Sequence, residues 1–286
     1  MAAQLVTSGP LAHLRWDGAC APGRWDGACA PGRWDGGGQT VLLLHGVGGG
    51  RVAWSDGVSD TGAALAAAGF NAVAIDFPGY GLSAPLQPCT LAGMAGAVLA
   101  SIAALGGGPV ILVGHSMGGM VAQQVAATAP QAVAGLVLAG TSPAFGKPGG
   151  DWQQAFLQSR FAPLDAGLGM AGLAAQLVPA MVAPGCAAPA VAAAQAMMAA
   201  VPEATYRAAV AALVAFDQRA NLPHIAVPTL VVTGEHDRTA APEVARKMAE
   251  RIPGAACHIL PGAGHLLNIE QPASFNTALL QFLQRH

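Results

Sequence analysis

Ser116, Asp237 and His265 stand in the chain in the order nucleophile, acid, base. Ser116 lies within Gly114-His115-Ser116-Met117-Gly118-Gly119, preceded by the apolar run PVILV and followed by the helix-forming run MVAQQVAA. A G-x-S-x-G pattern between a strand and a helix is a nucleophile elbow, a tight turn that presents the serine hydroxyl at the sheet edge. Gly114 and Gly118 are needed because side chains there would collide with the neighbouring strand and helix. A helix that begins at the turn aims its free amides and positive dipole end at a developing negative charge. The bland alternative is an ordinary strand–helix turn.

A serine hydroxyl is a weak nucleophile at neutral pH, so it needs a base, and the base needs an orienting acid. The partners of an elbow serine follow in the order acid, then histidine. TLVVTGEHDRTAAPE offers a strand and then a loop with Asp237 as the expected acid and Glu235 as the alternative. CHILPGAGHLLNIEQP offers a strand and a small-residue loop bearing His265. Of the eight histidines, His265 alone follows a late strand in such a loop. An oxyanion needs two amides: one from Met117, the residue after the nucleophile, and one from Val47 in VLLLHGVGGG. Gly46 lets that loop turn, and His45 braces it. As a dinucleotide site the same loop fails, since the third glycine position of G-x-G-x-x-G is Arg51 and Asp76 lies too far along.

These residues need a sheet to hold them. Apolar runs at Val41–His45, Asn71–Phe77, Pro109–Gly114, Ala134–Ala139, Thr229–Thr233 and Ala256–Leu260 read as strands. They alternate with helical segments near 58–68, 90–105, 117–129, 241–251 and 272–285, which predicts an α/β fold with a mostly parallel central sheet flanked by helices. LAHLRW reads as an earlier strand. Between about 146 and 222 the alternation stops and helices with Pro and Gly breaks take over. The expected organisation is a core over 1–145 and 223–286 with an inserted helical cap over 146–222.

Charged residues make up 10% of the 286, against about 25% in an average soluble protein. Two runs, Phe77–Gly146 and Ala166–Pro202, carry none. Ala and Gly supply most of their apolar count and prolines interrupt the second, so no membrane span is expected. The low charge suits buried surface, a greasy lid or a contact between copies of the chain. A net charge of −2 gives no footprint for nucleic acid. Five irregularly spaced cysteines and an N-terminus without a secretory pattern point to a reduced, cytoplasmic location.

Together these motifs resemble the α/β-hydrolase fold superfamily over about Val41 to Arg285. HGVGGG looks like its oxyanion loop, IDFPGYGLS its D-x-P-G-x-G-x-S loop, GHSMGG its elbow, GEHD its acid loop and GAGH its histidine loop. The C-terminal half, in PTLVVTGEHDRTAAPEVARKMAERIPGA and GHLLNIEQPASFNTALLQFL, looks most like 3-oxoadipate enol-lactonases. DWQQAFLQSR, with Trp152, is similar to that group's cap, and Trp54 falls where the group tends to carry a tryptophan, so the resemblance implies that Trp54 and Trp152, with Arg160, bind substrate. PGYG departs from that group's R-G-H-G, and the Ala-rich stretch from Gln176 to Glu203 implies a more apolar acyl or ring pocket. A lactone bearing a carboxylate would call for a cation facing the pocket, Arg160 first and Arg51 second.

The resemblance implies a serine hydrolase of a carboxylic ester or lactone that works without cofactor or metal on a small molecule. Carbon–carbon hydrolases of ring-fission products are the alternative within the fold, though they commonly carry Asn and Trp where this chain has His115 and Leu266. A non-catalytic receptor is the alternative outside enzymes. Residues 15–38, RWDGACAPGRWDGACAPGRWDGGG, repeat a nine-residue unit twice and begin it again. Cys20 and Cys29 lack metal-knuckle spacing, so the repeat reads as a duplicated surface loop between two strands.

Overall fold

The computed structural model describes residues 3–7, 11–18, 38–55, 57–146 and 149–286. The repeat from 19 to 37 lies outside the described residues.

Among the described residues eight strands form one sheet. They are β1 (Gln4–Val6), β2 (His13–Trp16), β3 (Thr40–Leu44), β4 (Asn71–Ile75), β5 (Val110–His115), β6 (Val133–Ala139), β7 (Thr229–Gly234) and β8 (Ala256–Leu260), in the spatial order β1-β2-β4-β3-β5-β6-β7-β8. β1 and β2 are antiparallel to their neighbours, and β4 to β8 run parallel with β3. The apolar runs became strands because a parallel sheet is covered on both faces. β5 is buried along its whole length. Alternate residues serve opposite cores: Leu42, Leu44 and Leu112 face one side, and Val41, Leu43, Ile111 and Val113 the other.

The helices are α1 (Thr61–Ala67), α2 (Leu91–Ala104), α3 (Met117–Thr128), α4 (Asp151–Asp165), α5 (Gly169–Met181), α6 (Ala188–Ala199), α7 (Glu203–Leu213), α8 (Pro242–Arg251), α9 (Leu267–Glu270) and α10 (Pro272–Leu283). α1 and α10 join the core on one face of the sheet, and α2 and α3 that on the other. Helices α4 to α7 intervene between β6 and β7 and supply walls to a cavity above Ser116. The first charge-free run contains β5, α3 and β6, the buried centre of the sheet and its adjoining helix, which accounts for its composition. Among the described residues no helix is long and apolar enough to cross a membrane.

Candidate active site

The C-terminal ends of the central strands build the site, as expected for an open parallel sheet. β5 runs into Ser116, which adopts φ 52° and ψ −115°, a conformation a side-chain-bearing residue takes only where its surroundings impose it. Those surroundings are close-packed backbones. A Cβ on Gly114 would overlap the Gly118 carbonyl, and one on Gly118 would overlap the carbonyl of Leu44 in β3.

His265 sits in the loop after β8 with its Nε2 3.1 Å from the Ser116 Oγ and its Nδ1 2.9 Å from the Asp237 Oδ2. With Nδ1–H donated to the carboxylate, Nε2 is left to accept the serine proton. Asp237, buried in the loop after β7, has its other oxygen occupied by the amides of Thr239 (2.7 Å) and Ala240 (2.8 Å), and the Thr233 hydroxyl donates to Oδ2. Burial pushes this carboxyl up, but the His265 charge and hydrogen bond together with the two amides outweigh it and hold the pKa to about 2. Asp237 is therefore ionised at neutral pH. Glu235, the alternative acid, is exposed and accepts from the Gly262 amide.

The loop after β3 is oriented by His45. The Phe77 amide donates to its Nε2 at 3.0 Å, so Nδ1 carries the proton and donates to the Gly46 carbonyl at 2.8 Å. The Gly49 amide donates to that same carbonyl. Because a peptide's C=O and N–H point oppositely, fixing the Gly46 oxygen turns the Val47 N–H the other way. Burial lowers the His45 pKa to about 4, so the brace is a neutral ring. The Ser116 carbonyl likewise accepts from Thr141 Oγ1 and from the Gly119 and Met120 amides, which fixes the peptide that carries the Met117 N–H. Neither the Val47 nor the Met117 amide has a hydrogen-bond partner among the described residues. Both residues line the cavity with Ser116 and His265.

The sequence model of the alpha/beta hydrolase fold matches residues 39–272. The chain belongs to this family. Among its relatives, a protein with the provisional name carbamate hydrolase RutD from Variovorax paradoxus is 34% identical over 87% of this chain and 92% of its own. A 2-hydroxy-6-oxononadienedioate/2-hydroxy-6-oxononatrienedioate hydrolase from Cupriavidus pinatubonensis is 30% identical over 86% of this chain and 87% of its own. The crystal structure of an enol-lactonase from Burkholderia xenovorans superposes with a TM-score of 0.76 at 24% identity, covering 98% of this chain and 99% of that one.

Within this alpha/beta hydrolase the structure corrects three sequence expectations. Trp54 is fully buried beside Phe275, with ring centroids 6.2 Å apart, and Ala53 lines the cavity in its place. Trp152 is 59% exposed and packs outside Phe145 and Phe156, which line the cavity while it does not. Large aromatic rings near a site are as readily recruited for packing as for binding. Arg51 pairs with the buried Asp76, so its charge is not free for a ligand. Arg160 does line the cavity.

Two residues beside the site escaped the sequence reading as participants. His115 donates from Nε2 to the His265 carbonyl at 2.8 Å, and burial lowers its pKa to about 3, aided by the nearby His265 charge. Glu270 accepts from the amides of Gly264 (2.9 Å), Leu266 (2.9 Å) and Ala183 (2.7 Å), and so clamps both flanks of His265 to the end of α5. The His265 amide in turn donates to the Met181 carbonyl.

Proposed function

We propose that this protein is a serine hydrolase of carboxylic esters or lactones that works through an acyl-enzyme. The observation that carries the reading is the continuous path from Ser116 Oγ to His265 Nε2, and from His265 Nδ1 to Asp237, at a serine held at a positive φ. His265 takes the serine proton as Oγ attacks the substrate carbonyl. Asp237 holds the ring in the required tautomer and stabilises its charged form. The Val47 and Met117 amides receive the oxyanion, an interaction typically worth about 3 kcal/mol per donor. His265 then gives its proton to the leaving oxygen as the scissile C–O bond breaks. Water attacks the acyl carbon with the same ring as base, and the acyl–Oγ bond breaks as His265 returns the proton to Ser116 and the acid is released. The α4–α7 segment acts as a cap that excludes bulk water and shapes specificity.

Carbon–carbon hydrolysis finds support in the Cupriavidus relative's name, but here His115 and Leu266 occupy the positions flanking the catalytic pair. His115 is committed to the His265 carbonyl, and Leu266 lines the cavity. A receptor without turnover would need neither free oxyanion amides nor an ionised acid behind the histidine.

Purified protein should hydrolyse p-nitrophenyl acetate and butyrate, and Ser116→Ala should retain less than about one per cent of that turnover with an unchanged circular dichroism spectrum. A Ser116→Ala protein that still turns over more than a few per cent would overturn the reading. So would failure of Ser116 to label with an organophosphonate that labels a control esterase.

A further inference from the structure

The loop after β4 touches both the oxyanion loop and the cap. Asp76 anchors its start by accepting from the Arg51 amide, and the Ser83 hydroxyl closes it by donating to the Asp76 carbonyl at 2.8 Å. Between them Tyr80 is buried, packed edge-on against His45 with ring centroids 4.7 Å apart. Its hydroxyl donates to the Val47 carbonyl at 3.0 Å and is the one donor to that carbonyl among the described residues. Burial raises the Tyr80 pKa well above its ordinary value, so the phenol keeps its proton. His45 and the Gly49 amide hold the peptide before Val47 through the Gly46 carbonyl. Tyr80 holds the peptide after it. With both peptides pinned, Val47 cannot turn about its Cα, and its N–H keeps its direction.

The Gly79–Tyr80 peptide is pinned as well, at one end by the core and at the other by the cap. Its N–H donates to the Phe77 carbonyl at 2.9 Å. Its carbonyl accepts at 3.0 Å from the hydroxyl of Thr205, in the first turn of α7. Gly79 adopts φ 84°, and a Cβ there would lie 2.8 Å from the Thr205 Oγ1, so a side chain would displace the helix. Met198 of α6 covers the oxyanion loop from the cap side, where a Cβ on Gly48 would come within 3.3 Å of its Cγ. Met198 and Tyr206, the neighbour of Thr205, both line the cavity. A ligand that fills the cavity therefore bears on the helix that holds Gly79.

Resting on the hydrolase reading, we propose that Tyr80 is a positioning residue of the oxyanion hole and that Thr205 ties it to the cap. α7 docked on Gly79 seats Tyr80, and Tyr80 holds the Val47 N–H where the oxyanion forms. Groups behind a catalytic amide are what keep it within about 0.5 Å of productive geometry. The hole is then at full strength only with α7 in place.

Tyr80→Phe removes the hydroxyl and keeps the ring. On p-nitrophenyl butyrate its kcat should fall about tenfold with KM within about twofold, short of the loss of about 100-fold or more when an oxyanion donor is deleted outright. A trifluoromethyl ketone separates positioning from mere support of the fold. Ser116 Oγ adds to the carbonyl carbon of butyl trifluoromethyl ketone, His265 takes the hydroxyl proton, and the carbonyl oxygen becomes an oxyanion in the hole. Its Ki should rise by the factor that kcat/KM falls, while that of butyl methyl ketone, which binds without forming the oxyanion, moves less than about twofold. Thr205→Val should act in the same direction by about threefold, the scale of a neutral hydrogen bond, and Thr205→Ser should restore the rate. Because Thr205 acts through Tyr80, the double variant should lose no more than Tyr80→Phe alone. An unchanged trifluoromethyl ketone Ki in Tyr80→Phe, or losses that multiply in the double variant, would sink the proposal. Should Tyr80→Phe not fold, the half-buried Thr205 decides, and a Thr205→Val protein with unaltered kcat and Ki rejects it. These results leave the hydrolase reading standing. Ester cleavage that survives Ser116→Ala overturns that reading instead.

Discussion

Glu270 places both carboxylate oxygens against backbone amides, and two of those amides flank His265. Replacing it with Gln swaps one acceptor for an NH2 group that must face N–H donors. Leaving buried amides unpaired costs about 1–3 kcal/mol, so Glu270→Gln should melt several degrees lower. The loop should also drift, and a displacement of the base near 1 Å is enough to cost on the order of 100-fold in rate. We therefore expect kcat to fall by at least about tenfold on p-nitrophenyl butyrate while KM moves less, because the oxyanion amides and most of the cavity wall lie away from Glu270. A variant that loses melting temperature alone, with kcat intact, would mean that Glu270 only holds the fold together. None of this could be read from the chain, where Glu270 is a single acidic residue two positions before Pro272. Its partner Ala183 is 87 positions away, and backbone amides leave no mark in composition.

At the level of elements, the elbow depends on β3, β5 and α3 approaching more closely than side chains allow. Gly118→Ala drives a methyl into the Leu44 carbonyl, which β3 cannot move without losing its pairing to β4 and β5. Overpacking of this kind typically costs about 1–3 kcal/mol, so the urea midpoint should fall and activity with it. An unchanged midpoint would show that the turn has more room than the backbone contacts indicate. The six parallel strands were legible as short apolar runs, unbroken in the buried strands β3 to β7 and weaker in β8, whose first three residues are exposed at the sheet edge. The serine, acid and histidine loops were legible for a related reason, since each follows such a run. β1 was not: it has three residues, mostly exposed, at the sheet edge, and carries no apolar pattern. The roles of Trp54 and Trp152 were not legible either. Whether an aromatic ring faces a cavity or a core depends on its neighbours in space, and Phe275, which covers Trp54, lies more than two hundred residues further along.

For the whole molecule, the duplicated segment can be removed in register. Deleting residues 15–32 brings Arg33-Trp34 to the place of Arg15-Trp16, so the buried indole contributed by Trp16 is replaced by an identical one. Activity and melting temperature should stay close to those of the full chain, and their collapse would give the repeat a structural role. Acid stability depends on groups spread across the site. His45 and His115 remain neutral in the fold, with pKa values lowered from 6.5 to about 4 and about 3, so the unfolded chain binds their protons first. Stability from these lowered values is complete above pH 6.5 and is lost as pH falls toward the folded values. Each ring contributes a slope of about 1.4 kcal/mol per pH unit through that window. Asp237, lowered from 3.8 to about 2, adds a further loss only below about pH 4. Urea unfolding followed from about pH 7 to pH 4.5 should therefore show stability dropping well before Asp237 titrates. His115→Gln keeps a donor for the His265 carbonyl and should remove about one proton's worth of that slope. Stability that stays flat across the window would mean that these buried rings take up protons without cost, which their burial and neutral hydrogen bonds forbid.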